Sequence, residues 1–416
     1  MMPGMPSPHT PLPRARQVSL LGALYMAQGL PFGFFTLALP VLMRDAGWSL
    51  TAISLLQFLA LPWALKFMWA PVLDHHGSRR MWLRLFLGSS CVMALVLSQL
   101  SLSSQTNMLF AAVLLFNLLA ASQDVITDGL AVRLLDVRER GLANGLQVGG
   151  FRLGMILGGG VLLWVFARTD WETMFLCMGG LLALLALPAW YPPEPARALA
   201  PQARPRGMAL SWAWLERALT PGMLTFAVLI LAYRFGDQLL GSLTGPFMRD
   251  QGISKETIAM MKGMVGSGAS LVGAFAGGWL AFRLGRRTAL LFSGLTQALA
   301  FTCYVAAAAG WGGMTALWAA TVLEGIFGTM ATVALFTLMM DAADPAHAGT
   351  DFTLLACMTS LVSGLANLVG GVVADAFGYL PTFTLAAVSS ALGCLVLVGW
   401  LDRHPIHPRI AQAWRG

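Results

Sequence analysis

The chain has 416 residues, of which 57% are hydrophobic and 11% charged, and it carries a formal net charge of +7. Soluble domains use about 25% charged residues, so this composition cannot dress a water-exposed surface. Apolar runs of about 20 residues recur, each long enough to cross a hydrocarbon layer of about 30 Å as a helix, and unbroken stretches such as Ala183–Leu187 exclude the alternation of a membrane barrel.

The first 17 residues are Pro-rich and polar. The apolar stretch behind them is too long for a signal-peptide core and lacks a small-residue cleavage site, so the first span is expected to be retained. Spans are predicted at 18–43, 51–72, 82–101, 108–133, 142–166, 172–191, 222–248, 256–282, 288–308, 313–340, 350–374 and 380–401. The predicted fold class is an all-α membrane protein, with twelve transmembrane helices in two six-helix bundles, 18–191 and 222–401. A cytoplasmic linker, 192–221, carries a short surface helix at Met208–Ala218 with Trp212 and Trp214, and residues 402–416 form a tail.

With both termini in the cytoplasm, most of the 26 Lys and Arg residues fall on that side, among them Arg79, Arg80, Arg84, Arg138, Arg140, Arg204, Arg206, Arg283, Arg286 and Arg287. Arg44, Arg168, Arg249, Lys255 and Lys262 are expected to face outward. This asymmetry is the positive-inside pattern, so the basic charge needs no nucleic-acid partner. The five cysteines lie inside predicted spans without ligand-type spacing, and they read as buried thiols rather than a metal site.

An internal repeat organises the spans. Met43-Arg44-Asp45-Ala46-Gly47-Trp48-Ser49, then Ile53, is matched by Met248-Arg249-Asp250-Gln251-Gly252-Ile253-Ser254, then Ile258, at an offset of 205. Further on, Gly77 aligns with Gly285, Asp136 with Asp344 and Gly141 with Gly349, at an offset of 208. Six crossings per unit return the chain to its starting side, so the two halves are expected to be parallel copies.

The loop Ala70-Pro71-Val72-Leu73-Asp74-His75-His76-Gly77-Ser78-Arg79-Arg80 resembles the signature loop of major facilitator transporters, and Gly278 through Arg287 repeats it. Ala70 and His75 depart from the family's Gly and Arg, and Phe282 replaces the Asp of the second copy. The resemblance implies a gate built from Asp74, Gly77, Arg79, Arg80, Arg133, Gly285, Arg286 and Arg287, with Asp74 against a helix N-terminus. The departures predict weaker gating ion pairs in the N-terminal half and put those of the C-terminal half in question. Gln28-Gly29-Leu30-Pro31, Lys66-Phe67-Met68-Trp69-Ala70-Pro71, Gln123-Asp124 with Asp128, and Arg140-Gly141 followed by Gly150-Phe151-Arg152-Leu153-Gly154 are similar to the branch holding muropeptide permeases and single-chain siderophore permeases of the rhizobactin and pyochelin type.

Charges at bilayer depth are costly and therefore mark function. Asp124 and Asp128 stand one turn apart; they are either a proton relay or a brace held by Arg133 and Arg152. Arg234 and Asp237 are spaced to pair along one helix, with Arg234 favoured for an anionic ligand or for gating. Glu324 has no basic residue within a turn, so it is either a titrating acid or a residue near the interface. Lys66 is expected to snorkel toward the cytoplasm. By resemblance, Gln28 and the Arg234 segment face substrate, and Gly29, Pro31 and Gly33 are hinge or packing positions. The glycine runs in spans 5 and 11 read as helix packing. No strand precedes them and no Gly-Lys-Ser/Thr follows, so they are not phosphate loops.

The histidines lie in tails and loops, and no nucleophile stands beside a base, so an enzyme is not expected. The chain is expected to be a monomeric secondary transporter of the bacterial inner membrane, with lipid as its solvent, no cofactor, and the proton gradient as its energy source. The first substrate expectation is an iron-siderophore complex; a muropeptide and drug or metabolite efflux are the alternatives. A non-transporting receptor is the rival of a different class.

Overall fold

The computed structural model describes residues 14–46, 55–100, 106–135, 139–190, 221–241, 243–404, 410, 411 and 414. The tail before Arg14, the linker up to residue 220 with the surface helix expected there, and most of the first repeat loop lie outside these residues.

Every element among the described residues is helical. Helix α1 runs Arg14–Gly33, passes through a π turn at Phe34–Ala38 and ends as Leu39–Asp45. Then come α3 (Arg79–Gln99), α4 (Thr106–Leu134), α5 (Arg140–Ile156, a π turn at Leu157–Val161, and Leu162–Phe166) and α6 (Trp171–Ala186). The second half holds α7 (Pro221–Gly241), α8 (Lys255–Ile258, a π turn at Ala259–Val265, and Gly266–Arg283), α9 (Gly285–Ala308), α10 (Gly313–Ala342), α11 (Ala348–Phe377) and α12 (Tyr379–Arg403).

Among the described residues, eleven helices are long and apolar enough to cross a membrane. The second span, α2, is broken into 3₁₀ turns at Leu55–Ala60 and Lys66–Met68 and short helices at Leu61–Leu65 and Ala70–His75. Each short helix opens with a proline in its first turn, where the missing N–H interrupts the preceding ladder. The expected twelfth crossing is therefore present as a relay of turns.

Glycines on two faces of α5 set how the bundle closes. On one face, a Cβ at Gly154 would lie 2.8 Å from the Cα of Gly29, so α1 and α5 touch backbone to backbone. On the other, a Cβ at Gly278 of α8 would lie 3.1 Å from the Cα of Gly145, which draws the two halves together. Small residues allow this approach where lipid gives helices no reason to prefer one another.

Among the described residues, one buried core joins the two halves, and it lies at one end. One cluster belongs to the first half, around Phe34, Met174 and Phe175. Another belongs to the second half, around Phe247, Phe301 and Phe383. A third combines Leu21, Tyr25, Ala131, Val132 and Ala143 of the first half with Leu280, Met330, Leu338 and Met340 of the second. This shared core lies at the end that carries the loops after α2, α4, α8 and α10. On the outer faces, Phe275, Trp279, Leu299, Leu368 and Phe377 are each more than half exposed, as lipid-facing side chains should be.

Candidate functional site

At mid-span the first half holds a buried polar cluster. Lys66 of α2 is ion-paired with Asp124 of α4, and both are buried. Lys66 therefore does not snorkel, because a carboxylate inside the bundle satisfies its ammonium. Asp128, one turn along, accepts from the Tyr25 hydroxyl at 3.0 Å and the Gln147 amide at 2.9 Å. Gln28 donates to Thr127 Oγ1 at 3.1 Å, fixing α1 on α4. Neither arginine braces this cluster as expected. Arg133 turns to Asp74, 3.2 Å away. Arg152 instead senses Glu324, Asp237 and Arg234 of the other half, and it makes no hydrogen bond or ion pair with a described residue.

Next to Arg152 in the chain, Phe151 meets the rings of Phe32 and Trp63, two of the three pairs edge to face and the Phe32–Phe151 pair tilted. The Phe32 centroid lies 5.3 Å from that of Trp63 and 5.4 Å from that of Phe151, and the latter two are 5.7 Å apart. Trp63 is anchored through its indole N–H to Asn117 Oδ1 at 3.1 Å. All three rings are partly exposed. Gly29, Pro31 and Gly33 lie along this stretch of α1, which remains α-helical through Pro31 and loosens into the π turn directly after Gly33.

The second half presents charges rather than rings. Arg234 pairs with Asp237 at 2.8 Å and donates to Thr332 Oγ1 at 2.8 Å. Gln297 and Gln238 donate to the two oxygens of Asp237 at 2.7 and 3.0 Å. Glu324 accepts from the Tyr304 hydroxyl at 3.0 Å and lies 3.9 Å from Lys262 Nζ. The cation it lacks on its own helix thus comes from α8, where Lys262 reaches into the bundle and also bonds Thr244.

The joined end is held by two carboxylates. Asp74 accepts from Arg79 at 3.1 Å and Arg133 at 3.2 Å, and from the Thr350 backbone N–H at 3.2 Å at the N-terminus of α11. Asp341 accepts from Arg140 of the first half at 3.0 Å and Arg286 of the second at 2.7 Å. The acid missing at Phe282 is therefore replaced from α10, and the C-terminal half does contribute an ion pair to this end. Gly77 and Gly285 both take left-handed φ, 71° and 80°, so the two signature loops turn alike. Arg80 flanks the first of these turns, half-buried. Arg287 points elsewhere, to Asp402 at the end of α12, 2.9 Å away.

Several contributors carried little sequence signal. Tyr25, Gln147, Phe32, Trp63 and Phe151 read as ordinary span residues, since nothing in their spacing shows that they converge. Asp341 did carry a signal, standing 208 residues after Arg133 at the offset of the repeat. Of the five cysteines, only Cys357 and Cys394 are buried, contrary to expectation. Among the described residues no group of His, Cys, Asp and Glu could hold a metal ion.

The Major Facilitator Superfamily profile matches residues 21–233 and 226–415, which together span nearly the whole chain. The chain belongs to the Major Facilitator Superfamily. It is 28% identical to an uncharacterized Haemophilus influenzae protein over 389 residues, covering 89% of this chain and 91% of that one. It is 27% identical to the anhydromuropeptide permease of Escherichia coli K12 over 403 residues, covering 93% of this chain and 79% of that one. A putative transporter of Rickettsia conorii is 24% identical over 411 residues, covering 94% of this chain and 96% of that one. Among solved structures, the transporter FucP in its outward conformation superposes with a TM-score of 0.74 at 16% identity, over 93% of this chain and 99% of that one. The proton:xylose symporter XylE superposes with a TM-score of 0.72 at 12% identity, over 97% of this chain and 100% of that one. The chain is a multi-pass membrane transporter of this superfamily. The muropeptide side of the expected resemblance is the side these relatives carry; the siderophore side gains nothing from them.

Proposed function

We propose that this chain imports an anhydromuropeptide, a sugar bearing a short peptide, across the bacterial inner membrane by proton-driven alternating access. The observation that carries the reading is the ring cluster of Phe32, Trp63 and Phe151 next to Arg152, which is ion-paired to no described residue, facing the charged groups Arg234, Asp237, Glu324 and Lys262 of the second half. Aromatic edges and faces suit the apolar C–H surface of a sugar. A buried guanidinium without an ion pair can take an anion, and a peptide carboxylate supplies one with bidentate geometry. The opposing mixed charges fit the remaining ionised groups of a peptide. The name and coverage of the Escherichia coli relative support the same substrate class.

The positive-inside pattern puts the joined end in the cytoplasm, with both termini on that side. The arrangement described is then closed inward, with Asp74 and Asp341 as the gate. Transport is a rocking of the two halves, 18–191 and 222–401, about the mid-span site, with residues 192–221 as their tether.

The test is uptake of a radiolabelled anhydromuropeptide, and in parallel of a ferric siderophore, into proteoliposomes holding the purified chain under an imposed proton gradient. Accumulation of the muropeptide alone, abolished by a protonophore, is the expected result. Accumulation of the siderophore instead would overturn the substrate reading, and transport of either that ignores the protonophore would overturn proton coupling.

A further inference from the structure

We propose that Asp128 is the proton-carrying acid of this transporter, and that Gln147 and Asn144 of α5 form its route to the gate at Arg140 and Asp341. The inference rests on the proton-coupled reading above but not on the identity of the substrate.

The first step is a count of charges. Asp124, Asp237 and Glu324 each have a cation within ion-pairing distance: Lys66, Arg234 and Lys262. Of the four mid-span acids, only Asp128 has no cation within ion-pairing distance among the described residues; its partners are the neutral Tyr25 and Gln147 and the carboxyl group of Asp124 itself. The groups facing it are Tyr25 from α1, Lys66 from α2 with Cys357 of α11 beside that lysine, Asp124 a turn earlier, and Gln147 from α5. Two carboxylates thus share one ammonium. Full ionisation would leave an uncompensated buried charge, so the cluster is neutral when one acid holds a proton, and the acid without an ion pair is the one that holds it.

The second step is where that proton goes. Gln147, Asn144 and Arg140 are spaced by three and four residues, so they line one face of α5 from Asp128 toward the joined end. All three are buried. Gln147 Oε1 and Asn144 Oδ1 have no donor from any described residue, which is costly for buried amides unless they serve another partner. They offer two acceptor oxygens in series that can order water between Asp128 and Arg140. Arg140 closes the far end by its bond to Asp341 across the halves.

In the step proposed, the Asp128 O–H bond breaks and the proton passes to water held by the two amide oxygens. The carboxylate left behind keeps the Tyr25 and Gln147 donors. The proton leaves only when the halves part and the Arg140–Asp341 pair opens, so its release is tied to the inward-open state.

The experiment uses the full chain in proteoliposomes with three readouts. D128N should retain counterflow exchange of labelled anhydromuropeptide, which needs no net proton movement, and lose gradient-driven accumulation by roughly a hundredfold. Q147L and N144L should retain exchange but slow net uptake roughly tenfold, with a raised solvent deuterium isotope effect that a merely structural defect does not produce. Independently of any substrate, pH-difference infrared spectra of the purified chain should show a protonated-carboxyl band that D128N lacks. Absence of exchange in the unmodified chain, with the band intact, would sink the substrate reading and leave this one standing. Gradient-driven accumulation by D128N at the normal level, or a carboxyl band unchanged in D128N, overturns the assignment of the acid; Q147L and N144L with normal net uptake and isotope effect overturn the route.

Discussion

Lys66 and the two aspartates it serves show how much one side chain decides in a membrane interior. Replacing Lys66 by Met leaves Asp124 and Asp128 buried with no cation. Replacing Asp124 by Asn leaves the ammonium with Asp128 still near. K66M should therefore destabilise the chain by about 3–5 kcal/mol, the cost of breaking a buried pair, and by more than D124N does; the double variant should recover part of the loss. Thermal unfolding in detergent checks the order, and equal melting of the two single variants would contradict it. Arg152 makes the opposite case, a cation waiting for a ligand. R152Q should raise KM for the muropeptide roughly tenfold or more, the value of a charged hydrogen bond of about 1.5–3 kcal/mol, while leaving melting in the empty protein unchanged or improved. The Arg234–Asp237 pair was legible in the sequence, because a spacing of three on one helix puts the groups together. The Lys66–Asp124 pair, 58 residues apart, was not, because only the packing of α2 on α4 brings it about. Without that contact, snorkelling was the cheaper assumption for a lysine in a span.

At the level of elements, the glycines of α5 were legible as packing residues but their partners were not, since nothing in the run Gly158-Gly159-Gly160 says which glycine faces what. A side chain at Gly158 would run into the Leu30 backbone of α1, whereas nothing lies within 4 Å of a Cβ at Gly160. G158V should therefore force α1 off α5, at an overpacking cost of about 1–3 kcal/mol or more, and G160A should be neutral. Paired melting curves decide it; a neutral G158V would mean that α1 and α5 separate without penalty. The second span makes the complementary point. Its hydropathy promised one straight helix, and Pro62 and Pro71 were visible throughout, yet the 3₁₀ turns depend on the neighbours that satisfy the freed backbone groups. Trp63, Lys66 and Trp69 all bond α4 from this stretch, so the irregularity is what turns three polar groups of one short span toward the same partner.

For the whole molecule, the duplication was legible down to the two signature turns, and the departure at Phe282 was legible too, but its meaning lay in three dimensions. The first half places its gate acid on α2 and a base, Arg133, at the end of α4. The second half has no acid on α8 and puts Asp341 where the repeat would place the equivalent of Arg133. Each half still contributes one carboxylate, and each carboxylate reaches across: Asp74 to the N-terminus of α11, Asp341 to Arg140. If these two bonds hold the inward-closed state, weakening either should shift the balance of states without unfolding the chain. D74N and D341N should each move the population toward inward-open by roughly tenfold, since losing about 1.4 kcal/mol from one state is a tenfold change, and the double variant should move it further because the sites act on the same equilibrium from different helices. Spin labels across the cytoplasmic ends of α4 and α10, read by pulsed distance measurement, would report the change as a growing long-distance component. Labels that keep their wild-type separation in both variants would mean that the shared apolar core around Met340 and Ala131 holds that end closed, and that the ion pairs only set its register.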